Sequence, residues 1–255
     1  MFIDSHCHID FPELADNIDN VLGKMRENQV DQCLCISVNL EDFPRVLKLA
    51  EAHDNVFATV GVHPDYEDIE EPDVARLVQL ANHPKIIGIG ETGLDYYRLT
   101  GDLEWQRERF RIHIRAAIKT RKPLIIHTRS AAEDTLRIMR EENAADIGGV
   151  MHCFTETLDI AEQAMAMNFY ISISGIVTFK NAVQIKEVAQ KIPLDRLLIE
   201  TDSPYLAPVP FRGKLNQPGY VKHVAEEIAK LRGISVEEIA TQTTKNFNKL
   251  FNIIK

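Results

Sequence analysis

Short apolar segments rich in β-branched residues alternate along the chain with longer amphipathic segments. The short segments are almost continuously apolar, which is typical of buried parallel strands, whereas the longer ones repeat apolar residues at helical spacing. The eight predicted strands cover residues 2–8, 32–38, 56–62, 86–90, 124–127, 149–153, 170–174 and 197–201. The main predicted helices cover residues 103–121, 131–142, 158–167, 182–190, 220–231 and 236–251.

The spacing of these strands predicts an α/β fold of the (β/α)8, or TIM-barrel, type. Successive strand ends are separated by distances close to the roughly 30 residues that one β/α unit of such a barrel needs. A doubly wound open sheet is the alternative, but eight strands with few insertions favour closure. No low-complexity or Pro/Gly/Ser-rich linker interrupts the chain, so we expect a single domain over residues 1–255. The proline-rich residues 204–218 are expected to form a long loop at the barrel mouth.

Residues that can bind metal ions stand at most of the predicted strand ends, where a TIM barrel has its active site. The first strand ends in His6-Cys7-His8, and because residues two apart share a face of a strand, both imidazoles should point to one spot. A histidine or an acid occurs at six of the eight ends, namely His8, His63, Glu91, His127, His152 and Asp202. Packing alone does not explain this pattern. The remaining histidines, His53, His83, His113 and His223, are expected at the surface or as helix caps.

The residues at the strand ends could together hold two divalent ions such as Zn²⁺, Mg²⁺ or Mn²⁺. The predicted ligands are His6, His8, Glu91, His127, His152 and Asp202. In the arrangement that we expect, Glu91 bridges the ions, His6, His8 and Asp202 bind one, and His127 and His152 bind the other. A metal-bound water has a pKa of about 7 and provides a nucleophile at neutral pH. Asp202 and Glu91 are therefore the predicted catalytic residues, with Asp202 also accepting a proton from that water.

Several further residues are predicted to support the ligands or to contact the substrate. Asp4 and Glu200 share strand faces with His6 and Asp202 and could hydrogen-bond to ligand imidazoles or to the metal-bound water. His63 could contact a substrate phosphate or cap its loop, and Arg129 could grip a phosphate or form a surface ion pair. Aromatic and basic residues interleave around the expected mouth, where they could stack unpaired bases or pack the loops onto the rim. They are Tyr96, Tyr97, Arg98, Phe154, Phe179, Lys180, Arg212 and Lys214.

Charge and composition limit the partners of the protein. The formal net charge of -9 excludes nucleic-acid binding through a global basic field, so a phosphate group must be captured locally. No apolar run approaches the roughly 20 residues of a membrane span, and the first residues do not resemble a signal peptide. The four cysteines lie in apolar contexts that suit reduced thiols. We therefore expect a cytoplasmic protein with no membrane partner, and a monomer is compatible with the sequence.

Several segments resemble the TatD family of metal-dependent hydrolases. They are Phe2-Ile-Asp-Ser-His-Cys-His-Ile-Asp10, Gly61-Val-His-Pro64, Gly88-Ile-Gly-Glu-Thr-Gly-Leu-Asp95, Lys122-Pro-Leu-Ile-Ile-His-Thr-Arg-Ser130, His152-Cys-Phe154 and Leu198-Ile-Glu-Thr-Asp-Ser-Pro-Tyr205. The resemblance spans essentially the whole chain. It implies a TIM barrel that binds divalent metal ions and a deoxyribonuclease activity, often 3′→5′ on single strands, with DNA as the substrate.

Two other functions are compatible with parts of this pattern. A metal-dependent amidohydrolase or esterase would use the same ligands to attack a small carbonyl substrate. A binding protein without catalytic activity would be expected to have lost ligands, whereas the set here is complete.

The motif Gly88-x-Gly90-x-x-Gly93 formally matches a dinucleotide-binding fingerprint. It follows the fourth strand and not the first, so we reject dinucleotide binding.

Overall fold

The computed structural model describes residues 1–253, in which eight strands alternate with helices. The strands are β1 (Phe2–Cys7), β2 (Val30–Cys35), β3 (Val56–Val60), β4 (Ile86–Asp95), β5 (Leu124–Arg129), β6 (Gly149–Met151), β7 (Phe169–Ile173) and β8 (Leu197–Ile199). Hydrogen-bonded neighbours follow the chain order from β1 to β8. Cys7 in β1 also forms a parallel bridge with Ser203, just beyond β8. The fold is the (β/α)8 barrel that the sequence predicts.

The α-helices of the described residues have boundaries within two residues of the predicted ones wherever a helix was predicted. They are α1 (Pro12–Ala15), α2 (Ile18–Glu27), α3 (Phe43–Ala52), α4 (Val74–Ala81), α5 (Glu104–Thr120), α6 (Ala132–Glu141), α7 (Leu158–Ala166), α8 (Val183–Lys191), α9 (Val221–Arg232) and α10 (Val236–Leu250). The start of α10 is capped by the Ser235 side chain, which accepts a hydrogen bond from the backbone N–H of Glu238. Over residues 1–253, every helix is too short or too polar to cross a membrane.

Internal contacts group the described residues into two compact units. The first unit contains residues 1–35, 152–162 and those from 171 onward, and therefore β1, β2, β8 and most of β7. The second unit contains residues 36–151 and 163–170, and therefore β3 to β6. The single domain expected over residues 1–255 stays a prediction, and its last two residues lie outside the described part.

In the first unit, backbone hydrogen bonds fix the end of β1 against the segment that follows β8. The Asp202 N–H donates to the carbonyl of His6 at 2.9 Å, and the His8 N–H donates to the carbonyl of Ser203 at 2.7 Å. The side chains of His6 and His8 therefore emerge beside Asp202, although Asp202 is nearly 200 residues away along the chain.

In the second unit, β4 is longer than predicted. The sequence predicts that the strand ends at Gly90, but β4 continues to Asp95 and pairs with β5 along this extension. Gly93 allows the pairing because it has a φ of 137°, and a Cβ atom there would lie 2.0 Å from the carbonyl oxygen of His127. The glycines that break the apolar pattern thus permit a close approach of two strands.

The expectation that His113 lies at the surface is wrong. His113 is fully buried on α5, where its Nδ1 lies 2.8 Å from the carbonyl oxygen of Arg109 and its Nε2 accepts a hydrogen bond of 3.0 Å from the Val62 N–H. Burial lowers the pKa of His113 to about 4, so the ring is neutral at neutral pH. The helical pattern placed this residue correctly on α5 but did not identify the face toward β3.

Candidate metal centre

Three histidines and one acid converge in the first unit, and we call them the first cluster: His6, His8, His152 and Asp202. The Nε2 atoms of His6 and His8 are 3.3 Å apart and lie 3.6 and 3.5 Å from Oδ1 of Asp202. The ring of His152 stacks on that of His6 with centroids 3.8 Å apart and an angle of 9° between their planes. Burial would raise the pKa of Asp202, but the hydrogen bond with His8 and the neighbouring histidine charges lower it. Asp202 is therefore a carboxylate at neutral pH.

Two buried acids lie behind the first cluster, as the strand alternation predicts. Oε1 of Glu200 is 3.4 Å from Nδ1 of His152 and accepts a hydrogen bond of 2.7 Å from the Cys153 N–H. Asp4 accepts hydrogen bonds from the backbone and hydroxyl of Thr201 at 2.8 and 2.5 Å. Burial raises the pKa of Asp4 well above its ordinary value. Glu200 can thus orient His152, whereas Asp4 fixes the backbone between Glu200 and Asp202.

Two histidines and one acid converge in the second unit, and we call them the second cluster: His63, Glu91 and His127. Oε1 of Glu91 lies 3.2 Å from Nδ1 of His127 and 3.3 Å from Nε2 of His63. His63 follows β3, Glu91 lies within β4 and His127 within β5, so three adjacent strands contribute to the cluster. Burial alone would lower the pKa of His63, but the charge of Glu91 and hydrogen bonds with Asp65 and Glu91 raise it to about 9.

Each histidine of the second cluster also has a carboxylate partner that sequence reasoning missed. Nδ1 of His63 hydrogen-bonds to Asp65, and Nε2 of His127 lies 3.1 Å from Oδ2 of Asp95. Burial would raise the pKa of Asp95, but the hydrogen bond with His127 and those from backbone N–H groups lower it to about 2. Strand alternation places Asp95 on the same face as Glu91, and this signal would have identified Asp95 if β4 had been extended to its full length.

The donor atoms of both clusters fit divalent cations. Imidazole nitrogens and carboxylate oxygens that lie 2.0–2.2 Å from one ion at tetrahedral angles are about 3.4 Å from each other. The separations among His6, His8 and Asp202, and between Glu91 and His127, are close to this value. One donor atom from each of His6, His152 and Asp202 lies within 4.8 Å of the others, and the same holds for His63, Glu91 and His127.

The two predicted substrate residues beyond the clusters have different surroundings. The guanidinium of Arg129 stacks over the ring of Tyr97 at 3.8 Å, and within residues 1–253 no carboxylate lies at ion-pair distance from it. The hydroxyl of Tyr96, in contrast, donates to Asp134 at 2.7 Å and accepts from Arg107 at 2.8 Å. Burial and the Asp134 carboxylate raise the pKa of Tyr96 to about 12. Tyr97, whose side chain is mostly exposed, is the more accessible aromatic residue.

Comparison with known proteins identifies the family. The family model described as TatD related DNase matches residues 3–252. The chain belongs to the TatD family. A TatD-family relative from Escherichia coli K12, the metal-dependent hydrolase YcfH, is 47% identical over 254 residues that cover 98% of this chain and 96% of that protein.

Two more TatD-family proteins illustrate the range of the similarity. The protein named 3'-5' ssDNA/RNA exonuclease TatD from Erwinia tasmaniensis is 33% identical over 248 residues, which cover 94% of this chain and 96% of that protein. The crystal structure of YJJV, a TatD homologue from Escherichia coli K12, matches with a TM-score of 0.90 at 29% identity and covers 99% of this chain and 98% of that chain. The family and the barrel predicted from the sequence are both confirmed.

Membership in the TatD family makes this chain a metal-dependent hydrolase. The six predicted ligands all lie in the two clusters, with His63 as a further member of the second. The partition of the ligands between two ions, the bridging role of Glu91 and the pairing of His152 with His127 stay predictions.

Proposed function

We propose that this TatD-family hydrolase is a deoxyribonuclease that removes nucleotides from the 3′ end of single-stranded or frayed DNA with the help of two divalent ions. The observation that carries the proposal is the complete set of imidazole and carboxylate donors in a chain that is 33% identical to a protein named as an exonuclease. DNA would be the partner as substrate, and a cytoplasmic location belongs to the same proposal.

Each cluster would hold one ion, with His6, His8 and Asp202 as ligands in the first and Glu91 and His127 in the second. Divalent ions bound there would lower the pKa of a coordinated water and neutralise charge on the phosphate oxygens. The residues of the chain would hold the ions and orient the ligand side chains. Glu200 positions His152, and Asp95 positions His127, through the contacts described above.

Asp202 would accept the proton of the attacking water. Its lowered pKa keeps it ionised at neutral pH, and its side chain is 16% exposed, which leaves it accessible to a water molecule. The leaving 3′ oxygen would take up a proton from solvent. A carboxylate in this position is expected to contribute a factor of roughly 10²–10⁴ to the rate.

Arg129 would bind a phosphate of the substrate. Its planar guanidinium can donate two parallel hydrogen bonds to phosphate oxygens, and the Tyr97 ring beneath it fixes its plane. Because Arg129 follows His127 by two residues on β5, the two side chains share a face of the strand. His63 is the second candidate for a phosphate contact, since it lies beside Glu91.

The decisive experiment measures the cleavage of 5′-labelled single-stranded DNA by metal-stripped protein to which Mg²⁺, Mn²⁺ or Zn²⁺ is added back. We expect stepwise shortening from the 3′ end that requires a metal ion. Asp202→Asn should retain the fold and lower kcat at least about 100-fold, because one ligand and the proton acceptor are changed together. Asp195→Asn provides the matched control, because Asp195 is exposed and precedes β8 at the opposite end of the strand.

Other outcomes would change the proposal in defined ways. A rate of Asp202→Asn close to that of the wild type would refute the assignment of Asp202. Equal cleavage of RNA would broaden the substrate class. Protein that binds two ions and hydrolyses esters or amides, but no phosphodiester, would instead be the metal-dependent amidohydrolase or esterase that the sequence also allows.

A further inference from the structure

Two loops of the first unit are unusually poor in acidic residues. The chain as a whole has 38 acidic and 29 basic residues, yet residues 171–186 and 203–225 contain no aspartate or glutamate. The loop after β7, residues 175–181, carries Lys180, and the loop after β8, residues 203–217, carries Arg212 and Lys214. We call these two segments the loop pair. Both loops leave the carboxyl ends of their strands, which is the end where Asp202 lies.

The two loops are fixed to each other by backbone and side-chain contacts. The Val209 N–H donates to Oγ1 of Thr178 at 2.9 Å, and that hydroxyl donates to the carbonyl of Gly175 at 2.7 Å. Gly175 approaches the other loop so closely that a Cβ atom would lie 2.1 Å from the carbonyl oxygen of Leu206. Within the second loop, the Asn216 amide donates to the carbonyl of Thr201 at 2.9 Å. The surface formed by the loop pair is therefore preorganised.

A pocket of about 440 Å³ lies on this surface between Phe179, Lys180, Asn181 and Arg212. The guanidinium of Arg212 lies over the Phe179 ring, 4.4 Å from its centroid. Phe179 is half-buried, while Lys180, Arg212 and Lys214 are exposed. A planar cation stacked on a ring beside the ammonium of Lys180 offers both a surface for a base and charges for phosphates.

The three cations are available to a ligand. Across residues 1–253, no carboxylate lies within ion-pair distance of Lys180, Arg212 or Lys214. Several other exposed arginines are paired with carboxylates, for example Arg115 with Glu108 and Glu142. In a protein with a net charge of -9, three unpaired cations on one surface form a local site for a polyanion.

We propose that the loop pair binds the single-stranded part of a polynucleotide substrate, away from the bond that is cleaved. One base stacks at Phe179 and Arg212, and Lys180, Arg212 and Lys214 contact the phosphates of neighbouring nucleotides. This inference rests on the proposed nuclease function, because it assigns the residues that hold the strand while the metal centre cleaves it. Stacking tolerates any base, so the site would bind DNA of any sequence.

The test compares two substrates with the metal-loaded enzyme: a single-stranded oligonucleotide of about 12 nucleotides, and bis(p-nitrophenyl) phosphate, which has a cleavable diester but no neighbouring nucleotides for the loop pair to bind. The double variant Lys180→Ala/Arg212→Ala should lower kcat/KM for the oligonucleotide about tenfold or more. Its kcat/KM for the small diester should change less than about twofold. For the oligonucleotide, the slope of log KM against the logarithm of the salt concentration should decrease by about 0.7 for each cation removed. Lys245→Ala/Lys249→Ala removes the same charge from α10 and should leave both substrates unaffected.

Substitutions of Phe179 separate stacking from charge. Phe179→Leu should weaken the oligonucleotide reaction several-fold, and Phe179→Trp should retain it, because only the tryptophan offers an aromatic face. If Phe179→Leu and the double variant process the oligonucleotide as well as the wild type does, the inference is wrong, although the nuclease function stands.

A second measurement keeps the inference testable if the enzyme cleaves no phosphodiester. The metal-free protein is titrated into a fluorescein-labelled oligonucleotide and binding is followed by anisotropy. Weaker binding by the double variant than by the α10 control would support a nucleic-acid site at the loop pair even then. Binding by the double variant equal to that of the wild type would overturn the site. Displacement of the oligonucleotide by polyglutamate as effectively as by unlabelled DNA would also overturn it, because the surface would then bind any acidic polymer.

Discussion

Asp95 is positioned to control which nitrogen of His127 would bind a metal ion. Its carboxylate lies 3.1 Å from Nε2 of His127, whereas Nδ1 faces Glu91 at 3.2 Å. An ionised carboxylate can only accept a hydrogen bond, so Asp95 would hold a proton of His127 on Nε2 and leave the Nδ1 lone pair for an ion bound beside Glu91. Such a partner for a ligand histidine fixes both the tautomer and the orientation of the ring.

Asp95→Asn should therefore impair metal binding without unfolding the protein. The asparagine oxygen can still accept from the backbone N–H groups of Tyr97 and Arg98, while its amide would donate to Nε2 and favour the tautomer with a proton on Nδ1. We expect the affinity for one ion to fall about 10- to 100-fold, measured by titration calorimetry. Asp134→Asn makes the same chemical change away from the cluster and should bind metal normally. An unaltered affinity of Asp95→Asn would contradict the role of Asp95.

Because His113 is buried, we expect the protein to lose stability in mild acid. Its pKa in the folded state is about 4, below the ordinary value of 6.5, because burial disfavours the charged ring. The unfolded chain therefore takes up a proton first, and the contribution of the neutral ring is complete above pH 6.5 and lost as the pH falls toward 4. The effect is of the order of 3 kcal/mol of unfolding free energy.

Urea unfolding of the wild type and His113→Gln between pH 7 and pH 4 tests this expectation. The glutamine can accept the hydrogen bond of the Val62 N–H and does not titrate. Its free energy of unfolding should change less with pH over this interval than that of the wild type. Parallel curves for the two proteins would mean that another group causes the acid sensitivity.

At the scale of elements, β4 determines how the second cluster is built. Three residues of β4 contribute to the cluster. Glu91 faces two histidines, Gly93 permits the approach of β5, and Asp95 contacts His127. The sequence predicts the strand and its ligand but ends the strand at Gly90. Glycines with positive φ reduce the apparent strand propensity, although the pairing with β5 compensates for it.

Gly93→Ala should destabilise the protein by roughly 2–4 kcal/mol, since the φ of 137° is strained for alanine and its Cβ atom would meet the His127 carbonyl. Gly23→Ala is the matched control, because Gly23 lies within α2 and the nearest atom to a Cβ there is 3.7 Å away. That substitution should raise the stability by roughly 0.5–1 kcal/mol. The measurement is the midpoint of chemical unfolding, and a tolerated Gly93→Ala would show that β4 and β5 can separate without cost.

At the scale of the whole molecule, the two clusters predict that metal ions stabilise the fold. An ion that binds only the folded state contributes about 2.7 kcal/mol when its concentration is 100 times its Kd. For a chain of this size, each such ion should raise Tm by roughly 5–10 °C. Differential scanning calorimetry of the chelated and the Mn²⁺- or Zn²⁺-loaded protein measures this change. Asp202→Asn should show a smaller increase, and an identical Tm with and without chelator would argue against bound ions.

The sequence by itself determined the eight strands and most of the helices, the family and the residue types of the candidate ligands. Strand and helix periodicity depend on neighbouring residues only, and parallel strands bring their carboxyl ends to one edge, so the positions of His6, Glu91, His127 and Asp202 followed from local patterns. The residue types at those ends, together with the resemblance to the TatD family, indicated metal-dependent hydrolysis.

Tertiary structure alone decided which residues contact the candidate ligands and which side chains are exposed. The contact of Asp95 with His127, the burial of His113 and the fixed loop pair depend on strand register and on packing between segments far apart in the chain. Register and packing arise from the sum of many weak contacts along the whole chain, and no short stretch of sequence encodes them.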